Sequence, residues 1–186
     1  MNVEKSIKKG KIIYSESFWD KFWTILLPLY FIILLLFISF TIFINSYQSL
    51  SFNLYIIIAS FSVFILSVAL VIIYLKIDNL SVFKGKSRTF NKKLVLDYVK
   101  DQGYYISNQS NDFISIDIKV KFFAFSDYRY LTVLFNSNKI FYNCVTFENI
   151  NAGRFSISNF KSPLYWFANK KCEKIFRNYL QENSTS

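Results

Sequence analysis

Histidine is absent from all 186 residues of this chain, and its absence excludes several kinds of catalytic site. Nucleophilic systems that pair serine or cysteine with histidine use the imidazole as a general base, and histidine is the commonest ligand of zinc. The chain has only four glycines, and they are too scattered to form a glycine-rich loop around a phosphate. The sequence therefore predicts no Ser-His-Asp or Cys-His system and no P-loop.

Thiols and paired carboxylates give no further sign of catalysis. The only cysteines, Cys144 and Cys172, lie too far apart in sequence to form a metal-binding pair. In a cytoplasmic domain these thiols are expected to stay reduced. The carboxylates of the C-terminal half show no spacing that singles out an acid–base pair. We therefore expect neither an enzyme nor a bound cofactor or metal.

Ionisable side chains are missing from residues 22–44 and 52–75, which consist mainly of Leu, Ile, Phe and Val. Each segment exceeds the ~18 apolar residues that indicate a transmembrane helix, and a buried core helix is usually shorter. The first segment is also longer than the apolar part of a signal peptide, and no small-residue cleavage pattern follows it. The sequence predicts a transmembrane hairpin over 22–75, whose lack of ionisable groups disfavours a selective transporter.

Cations flank the predicted hairpin on both sides, whereas its connecting loop at 45–51 carries no charge. Since Lys and Arg near membrane segments resist translocation, both termini are predicted to be cytoplasmic, with the hairpin in a bacterial inner membrane. The chain has a net charge of +10, which does not by itself require a nucleic-acid partner. The cations that follow the hairpin are expected to contact anionic lipid headgroups: Lys76, Lys84, Lys86, Arg88, Lys92 and Lys93.

The pattern predicts a membrane hairpin of two helices followed by a small cytoplasmic α+β domain. That domain is expected to contain a helix, an antiparallel sheet of three to five strands and a C-terminal helix. The predicted boundaries are 1–21 for a cytoplasmic N-terminal arm, 22–75 for the hairpin, 76–90 for a basic juxtamembrane linker, 91–181 for the α+β domain and 182–186 for a tail.

Hydrophobic periodicity predicts the individual elements of the α+β domain. Apolar residues at three- and four-residue spacing predict a first helix over 92–101, capped by Asn91. Alternation and turn residues predict strands at 104–107, 114–122, 128–135, 140–147 and 154–158. The last helix is predicted to open at Ser162-Pro163. Its buried stripe is expected to comprise Leu164, Phe167, Ala168, Cys172, Ile175, Phe176 and Tyr179.

Polar side chains alternate with isoleucines along the clearest strand. Because successive side chains of a strand point to opposite faces, they are predicted to share the face turned away from the helices. They are Ser115, Asp117, Lys119 and Lys121. A face of this kind is usually only solvated, but it is the candidate ligand or partner face of this sequence.

These features predict a non-enzymatic binding or regulatory module held at the inner face of the membrane. Its expected partners are anionic lipid headgroups and either a protein or a small anionic ligand, and the sequence is compatible with a homo-oligomer. Two alternatives remain open. One is a ligand-gated, membrane-disrupting effector of a bacterial defence or toxin system, and the other is an immunity protein against a membrane-targeting toxin.

Overall fold

A computed structural model describes residues 1–13, 30, 33–45, 54–122, 125–152, 155–161 and 165–184, with only the backbone given at 54–57, 119–122, 125–128, 148–152 and 155–160. The chain forms two compact units. One comprises Glu16–Lys76, and the other combines Met1–Ser15 with Ile77–Ser186. The short segment that precedes the apolar region thus belongs to the same unit as the long segment that follows it.

The apolar unit contains helix α2 at Ile33–Asn45 and helix α3 at Leu54–Lys76. Within the described ranges, one helix is long and apolar enough to cross a membrane, and it is the Ile58–Lys76 part of α3. This helix coincides with the second predicted span. Residues 22–29, 31 and 32 of the first predicted span lie outside the described residues, so the two-span hairpin is not confirmed.

The side chains of α2 and α3 are small and buried where the two helices meet, and large, apolar and exposed on the outer surface. The Ser39 hydroxyl donates to the Ser60 carbonyl oxygen over 2.8 Å, and both residues are buried. Small residues allow two helices to approach closely in this way. Large apolar side chains of α3, such as Phe61 and Leu66, are instead more than half exposed. An exposed apolar surface of this kind is typical of a helix that faces lipid.

The N-terminal segment begins with helix α1 at Val3–Lys9. Asn2 caps it by accepting a hydrogen bond from the Lys5 amide over 3.0 Å, and Gly10 ends it with a left-handed φ of 64°. The chain then pairs with the residues that follow α3. Ile12 N donates to Asp78 O and Leu80 N donates to Gly10 O, each over 2.9 Å. The described part of the predicted N-terminal arm is therefore joined to the domain by backbone hydrogen bonds.

The domain contains an antiparallel sheet whose strands are β1 at Ser81–Lys84, β2 at Tyr105–Gln109, β3 at Phe113–Phe122, β4 at Phe125–Asn136, β5 at Lys139–Ala152 and β6 at Phe155–Lys161. Five strands lie in the order β1-β5-β4-β3-β2. The sixth, β6, pairs with residues 147–152 of β5, beyond the pairing of β1 with residues 139–142. Both short strands therefore lie along the same edge of β5.

Two helices, α4 at Arg88–Asp101 and α5 at Trp166–Ser184, cover one face of the sheet. Edge-to-face ring contacts join the layers: Phe176 of α5 lies 4.9 Å from Tyr98 of α4 and 5.1 Å from Tyr142 of β5, between ring centroids. The inward side chains of the three central strands complete the core: Ile114, Ile116, Ile118, Leu131, Val133, Phe135, Ile140, Tyr142 and Cys144. The predicted α+β class and the antiparallel sheet are confirmed, but the sheet has six described strands instead of three to five, because β1 is added to it by pairing with β5.

The structure corrects the predicted start of the first helix. Ser87, and not Asn91, is the N-cap of α4, since its Oγ accepts from the Phe90 amide over 3.3 Å. Asn91 lies inside the helix, fully buried, and its Oδ1 accepts from the Lys86 amide over 3.1 Å. Strand β1 also lies within the predicted linker at 76–90. This stretch is therefore part of the sheet and of α4.

The buried stripe of α5 also differs from the predicted one. Phe167 and Ile175 are 80% and 47% exposed, whereas Cys172 and Phe176 are buried as predicted. The remaining buried positions are Asn169, Glu173 and Leu180. The predicted opening at Ser162-Pro163, together with Leu164, lies outside the described residues. The helix thus presents two polar side chains to the sheet where apolar ones were expected.

Candidate functional site

The predicted ligand face begins on β3, where Ser115 and Asp117 alternate with the core isoleucines. In the sheet register Ser115 pairs with Thr132 and Asp117 with Tyr130. Both side chains are half-buried, and Oδ1 of Asp117 is inaccessible and without a hydrogen bond from the described residues. The side chains of Lys119 and Lys121 lie outside the described residues. The described part of this face therefore brings together no set of side chains that would hold a ligand.

Further along the sheet, the same face is covered by another segment of the chain. Leu134, Asn143 and Val145 are buried on it. The Asn143 side-chain amide donates to the carbonyl oxygens of Ile77 and Asn79, over 2.9 Å and 2.8 Å. The segment that follows α3 thus lies against this face, which is not uniformly solvated. This contact was not predicted, because residues 77–80 show no periodic pattern of apolar residues.

The predicted lipid-contacting cations fall into different environments. Lys76 ends α3 in the apolar unit. Arg88 pairs with Asp112 and donates to the Asn111 carbonyl oxygen over 2.7 Å. Lys92 donates to the Ser110 carbonyl oxygen over 3.3 Å. Two of the six cations therefore hold the loop between β2 and β3.

The other three predicted cations are exposed. Lys84 ends β1, Lys86 follows it, and Lys93 lies in the first turns of α4. The ammonium of Lys86 lies 4.7 Å from the centre of the Phe90 ring. Lys76 and Arg88 are exposed as well, and contact of these cations with anionic headgroups stays a prediction.

A buried carboxylate joins α5 to the edge of the sheet. Oε1 of Glu173, a residue only 5% exposed, accepts from the Cys144 amide over 3.2 Å, and Oε2 accepts from the Ser81 hydroxyl over 2.8 Å. The Lys170 ammonium lies 2.9 Å from Oε1 and 2.8 Å from Oε2. A buried charge requires such partners, and these connect three elements through one side chain.

A second polar group lies where the first turn of α5 meets β4 and β5. The Nε–H of Arg129 donates to Thr146 Oγ1 over 3.1 Å and to Asn169 Oδ1 over 3.2 Å. The Thr146 hydroxyl donates to the same Asn169 oxygen over 2.7 Å. Thr146 and Asn169 are buried, and Arg129 is half-buried. This arrangement holds a guanidinium group in a fixed orientation.

The two cysteines, distant in sequence, are neighbours in the core. Burial raises the pKa of the Cys144 thiol. A hydrogen bond from that thiol lowers the pKa of Cys172. Both cysteines are free thiols. In the part of the chain that the structure describes, no three His, Cys, Asp or Glu side chains are placed to bind a metal ion.

Sequence reasoning missed Arg129, although a signal for it exists. Strand alternation places this residue on the same face as Leu131, Val133 and Phe135, which all point into the core. An arginine at an inward strand position is unusual and needs partners. Asn169 and Glu173, four residues apart on α5, mark the face of this helix that packs against the inward side of the sheet.

Comparison of the chain with protein-family models, with curated proteins and with solved structures finds no match.

Proposed function

We propose that this chain is a two-pass protein of a bacterial inner membrane whose α+β unit is a non-enzymatic binding or regulatory module at the cytoplasmic surface. The proposed two-pass topology rests on the backbone pairing of residues 10–12 with residues 78–80. These two segments flank the apolar region of the sequence on either side.

The pairing supports two membrane spans rather than one. If α3 crosses the bilayer, its two ends are separated by a hydrocarbon core of about 30 Å. Residues 78–80 follow the C-terminal end of α3 directly, and residues 10–12 are hydrogen-bonded to them. The chain between residues 13 and 54 must then cross the bilayer once as well. The uncharged segment 22–44 is the part of the sequence suited to that crossing.

The charges on both flanks support the cytoplasmic orientation. Lys5, Lys8 and Lys9 belong to α1, and the exposed Lys84, Lys86 and Lys93 follow α3. Cations close to membrane segments are retained on the cytoplasmic side, and the predicted loop at 45–51 has none to oppose translocation. The same cations favour anionic headgroups and an anionic partner, which is either a protein or a small ligand.

Labelling of single introduced cysteines tests the topology. Ser49→Cys places a thiol in the segment predicted from sequence to be the loop, and Lys93→Cys places one on the exposed face of α4. A membrane-impermeant maleimide added to spheroplasts is expected to label the first variant at once and the second only after permeabilisation. The parent chain is the control, because Cys144 and Cys172 are buried. Labelling of both variants from the same side would overturn the two-pass topology.

Binding is tested with the full chain in lipid nanodiscs. Cross-linking and affinity isolation identify a protein partner, and titration with small anions identifies a ligand. A potential-sensitive dye in cells that express the chain separates this function from the alternative of a membrane-disrupting effector. Depolarisation on induction would replace the proposed binding role by the effector role.

A further inference from the structure

The outward side of the last helix, α5, has a particular composition in its N-terminal part. From Trp166 to Arg177, every exposed side chain is either apolar or cationic, and these five residues form the basic-apolar surface of α5: Phe167, Lys171, Lys174, Ile175 and Arg177. Phe167 is 80% exposed and Ile175 is 47% exposed. Single exposed apolar side chains are common on proteins. What distinguishes this surface is that its apolar side chains are accompanied by cations alone.

We propose that the basic-apolar surface of α5 is a membrane contact, which lies on the headgroups of an anionic bilayer and inserts Phe167 between them. This contact rests on the proposed function, because it requires the α+β unit to lie at the cytoplasmic surface of the membrane. Amphipathic helices that lie in a membrane interface combine lysine and arginine with large apolar side chains in the same way. The cations predicted from sequence to contact lipid do not include any residue of this surface.

The spacing of these residues places the aromatic ring and the cations on one side of the helix. Phe167, Lys171 and Lys174 follow one another at intervals of four and three residues, which is the spacing of neighbours along one side of an α-helix. Asn169 and Phe176 are buried on the side that packs against the sheet. Helix α5 can therefore pack against the sheet with one side and contact lipid with the other, without any change of fold.

The exposed charge of this surface is positive because the acidic residues near it lie elsewhere on the helix. Glu173 is only 5% exposed, and its carboxylate pairs with Lys170. Asp101 of the neighbouring helix α4 lies near the other end of α5, where it accepts a hydrogen bond from the Tyr179 hydroxyl over 2.7 Å. The side chains that remain exposed from Trp166 to Arg177 thus carry the charge that complements anionic headgroups.

The attachment of the α+β unit favours a lipid surface over a soluble partner. Only residues 77–80 separate α3 from β1, and the Ile58–Lys76 part of α3 is long and apolar enough to cross a membrane. If α3 crosses the bilayer, the unit meets headgroups at a high effective concentration, so that a weak contact is well populated. Each cation near an anionic surface strengthens binding by about fivefold, so that the three cations together contribute about a hundredfold.

Spin labelling of the full chain tests the contact. A nitroxide is attached to Asn178→Cys, an exposed position four residues after Lys174, in nanodiscs of phosphatidylglycerol or of phosphatidylcholine. Collision with a neutral, water-soluble nickel chelate reports how accessible the label is to water. We expect the collision rate to be at least about threefold lower in phosphatidylglycerol, and the difference to disappear in about 1 M salt, which screens the charges. Equal collision rates in the two lipids at low salt would overturn the contact.

Substitutions within the surface and two matched controls decide the assignment. Phe167→Ala, and Lys171→Gln combined with Lys174→Gln, are each expected to restore most of the collision rate seen in phosphatidylcholine. Tyr105→Ala removes an aromatic side chain that is 70% exposed on β2, and Lys139→Gln removes an exposed cation at the start of β5. Both controls are expected to keep the protection. Unchanged protection in both surface variants, or equal loss in the controls, would overturn the assignment.

Two further outcomes would assign the surface to another partner. Dipolar broadening of the nitroxide spectrum in nanodiscs that hold two copies would indicate a second copy of the chain. Protection that is absent in phosphatidylglycerol but appears on addition of a cytosolic extract would indicate a soluble protein. Either result would overturn the lipid contact. None of these outcomes alters the maleimide labelling of Ser49→Cys and Lys93→Cys, so failure of the contact is distinguishable from failure of the proposed topology and function.

Discussion

Removal of the Glu173 carboxylate is expected to destabilise the α+β unit strongly. In Glu173→Ala the buried amide of Cys144 loses its acceptor, which costs about 1–3 kcal/mol for an unsatisfied donor. The ion pair with Lys170 contributes less than about 1 kcal/mol, because the lysine side chain is 36% exposed. When the cost of the volume left empty is added to these two losses, we expect the free energy of unfolding to fall by about 2–4 kcal/mol.

The isosteric change Glu173→Gln separates the hydrogen bonds from the charge. The amide oxygen of glutamine can still accept from the Cys144 amide, and the Ser81 hydroxyl can turn to accept from the new NH₂ group. Only the charge pairing with Lys170 is then lost. We expect this variant to lose about 1 kcal/mol, clearly less than the alanine variant.

Urea unfolding of the full chain in nanodiscs, followed by the near-ultraviolet circular dichroism of the core tyrosines, measures both losses. Lys174→Ala is the matched control, since this residue lies next to Glu173 on α5 and is exposed; its change should stay within about 0.5 kcal/mol. A glutamine variant as unstable as the alanine variant would refute the reasoning, because the charge and not the acceptor would then dominate. A stable alanine variant would refute the contact itself.

Three other features of the domain give predictions of the same kind. Iodoacetamide should modify Cys172 before Cys144 in the folded chain, and timed peptide mass spectrometry gives the order. The reason is that burial raises the pKa of the Cys144 thiol, whereas a hydrogen bond from that thiol lowers the pKa of Cys172. Gly85→Ala should lower the free energy of unfolding in urea by about 1–3 kcal/mol, because the new Cβ would clash with Oδ1 of the buried Asn91 side chain. Ile12→Ala removes a buried side chain and should raise hydrogen exchange of its own amide at least about tenfold.

Each of these predictions has a control within the chain. Modification of either cysteine at the rate of a fully exposed thiol, or modification of Cys144 before Cys172, would contradict the buried pair. The Gly85 change should cost much less in an Asn91→Ala background, and equal costs in the two backgrounds would show that the two residues do not compete for space. Lys8→Ala, at an exposed position of α1, should leave the exchange of the Ile12 amide unchanged.

The elements that sequence predicts best are those specified by local pattern. Strand β3 follows from strict alternation of isoleucine with polar residues, and the β4–β5 hairpin follows from turn residues between two β-branched and aromatic runs. These signals depend on one strand or one turn at a time. The predicted helix α4 likewise ends at Asp101, as its apolar periodicity indicates.

The features that sequence did not predict depend on contacts between distant segments. Strand β1 is four residues long and exists because it pairs with β5, so that no local pattern marks it. The burial of Glu173 depends on the Cys144 amide and the Ser81 hydroxyl, which lie far away in the sequence. A helix whose buried stripe includes such polar residues is rotated from the orientation that hydrophobicity alone indicates. This rotation explains why Phe167 and Ile175 are exposed.

Strand β5 contacts both the hydrogen-bonded group around Arg129 and the segment at residues 77–80. Thr146 points to the helical face of the sheet and hydrogen-bonds Arg129 and Asn169, whereas Asn143, three residues earlier on β5, points to the other face and hydrogen-bonds the carbonyl oxygens of Ile77 and Asn79. Because side chains alternate along a strand, one short stretch of β5 contacts both regions. Residues 77–80 are themselves held by backbone pairing, and β1 begins directly after them at Ser81.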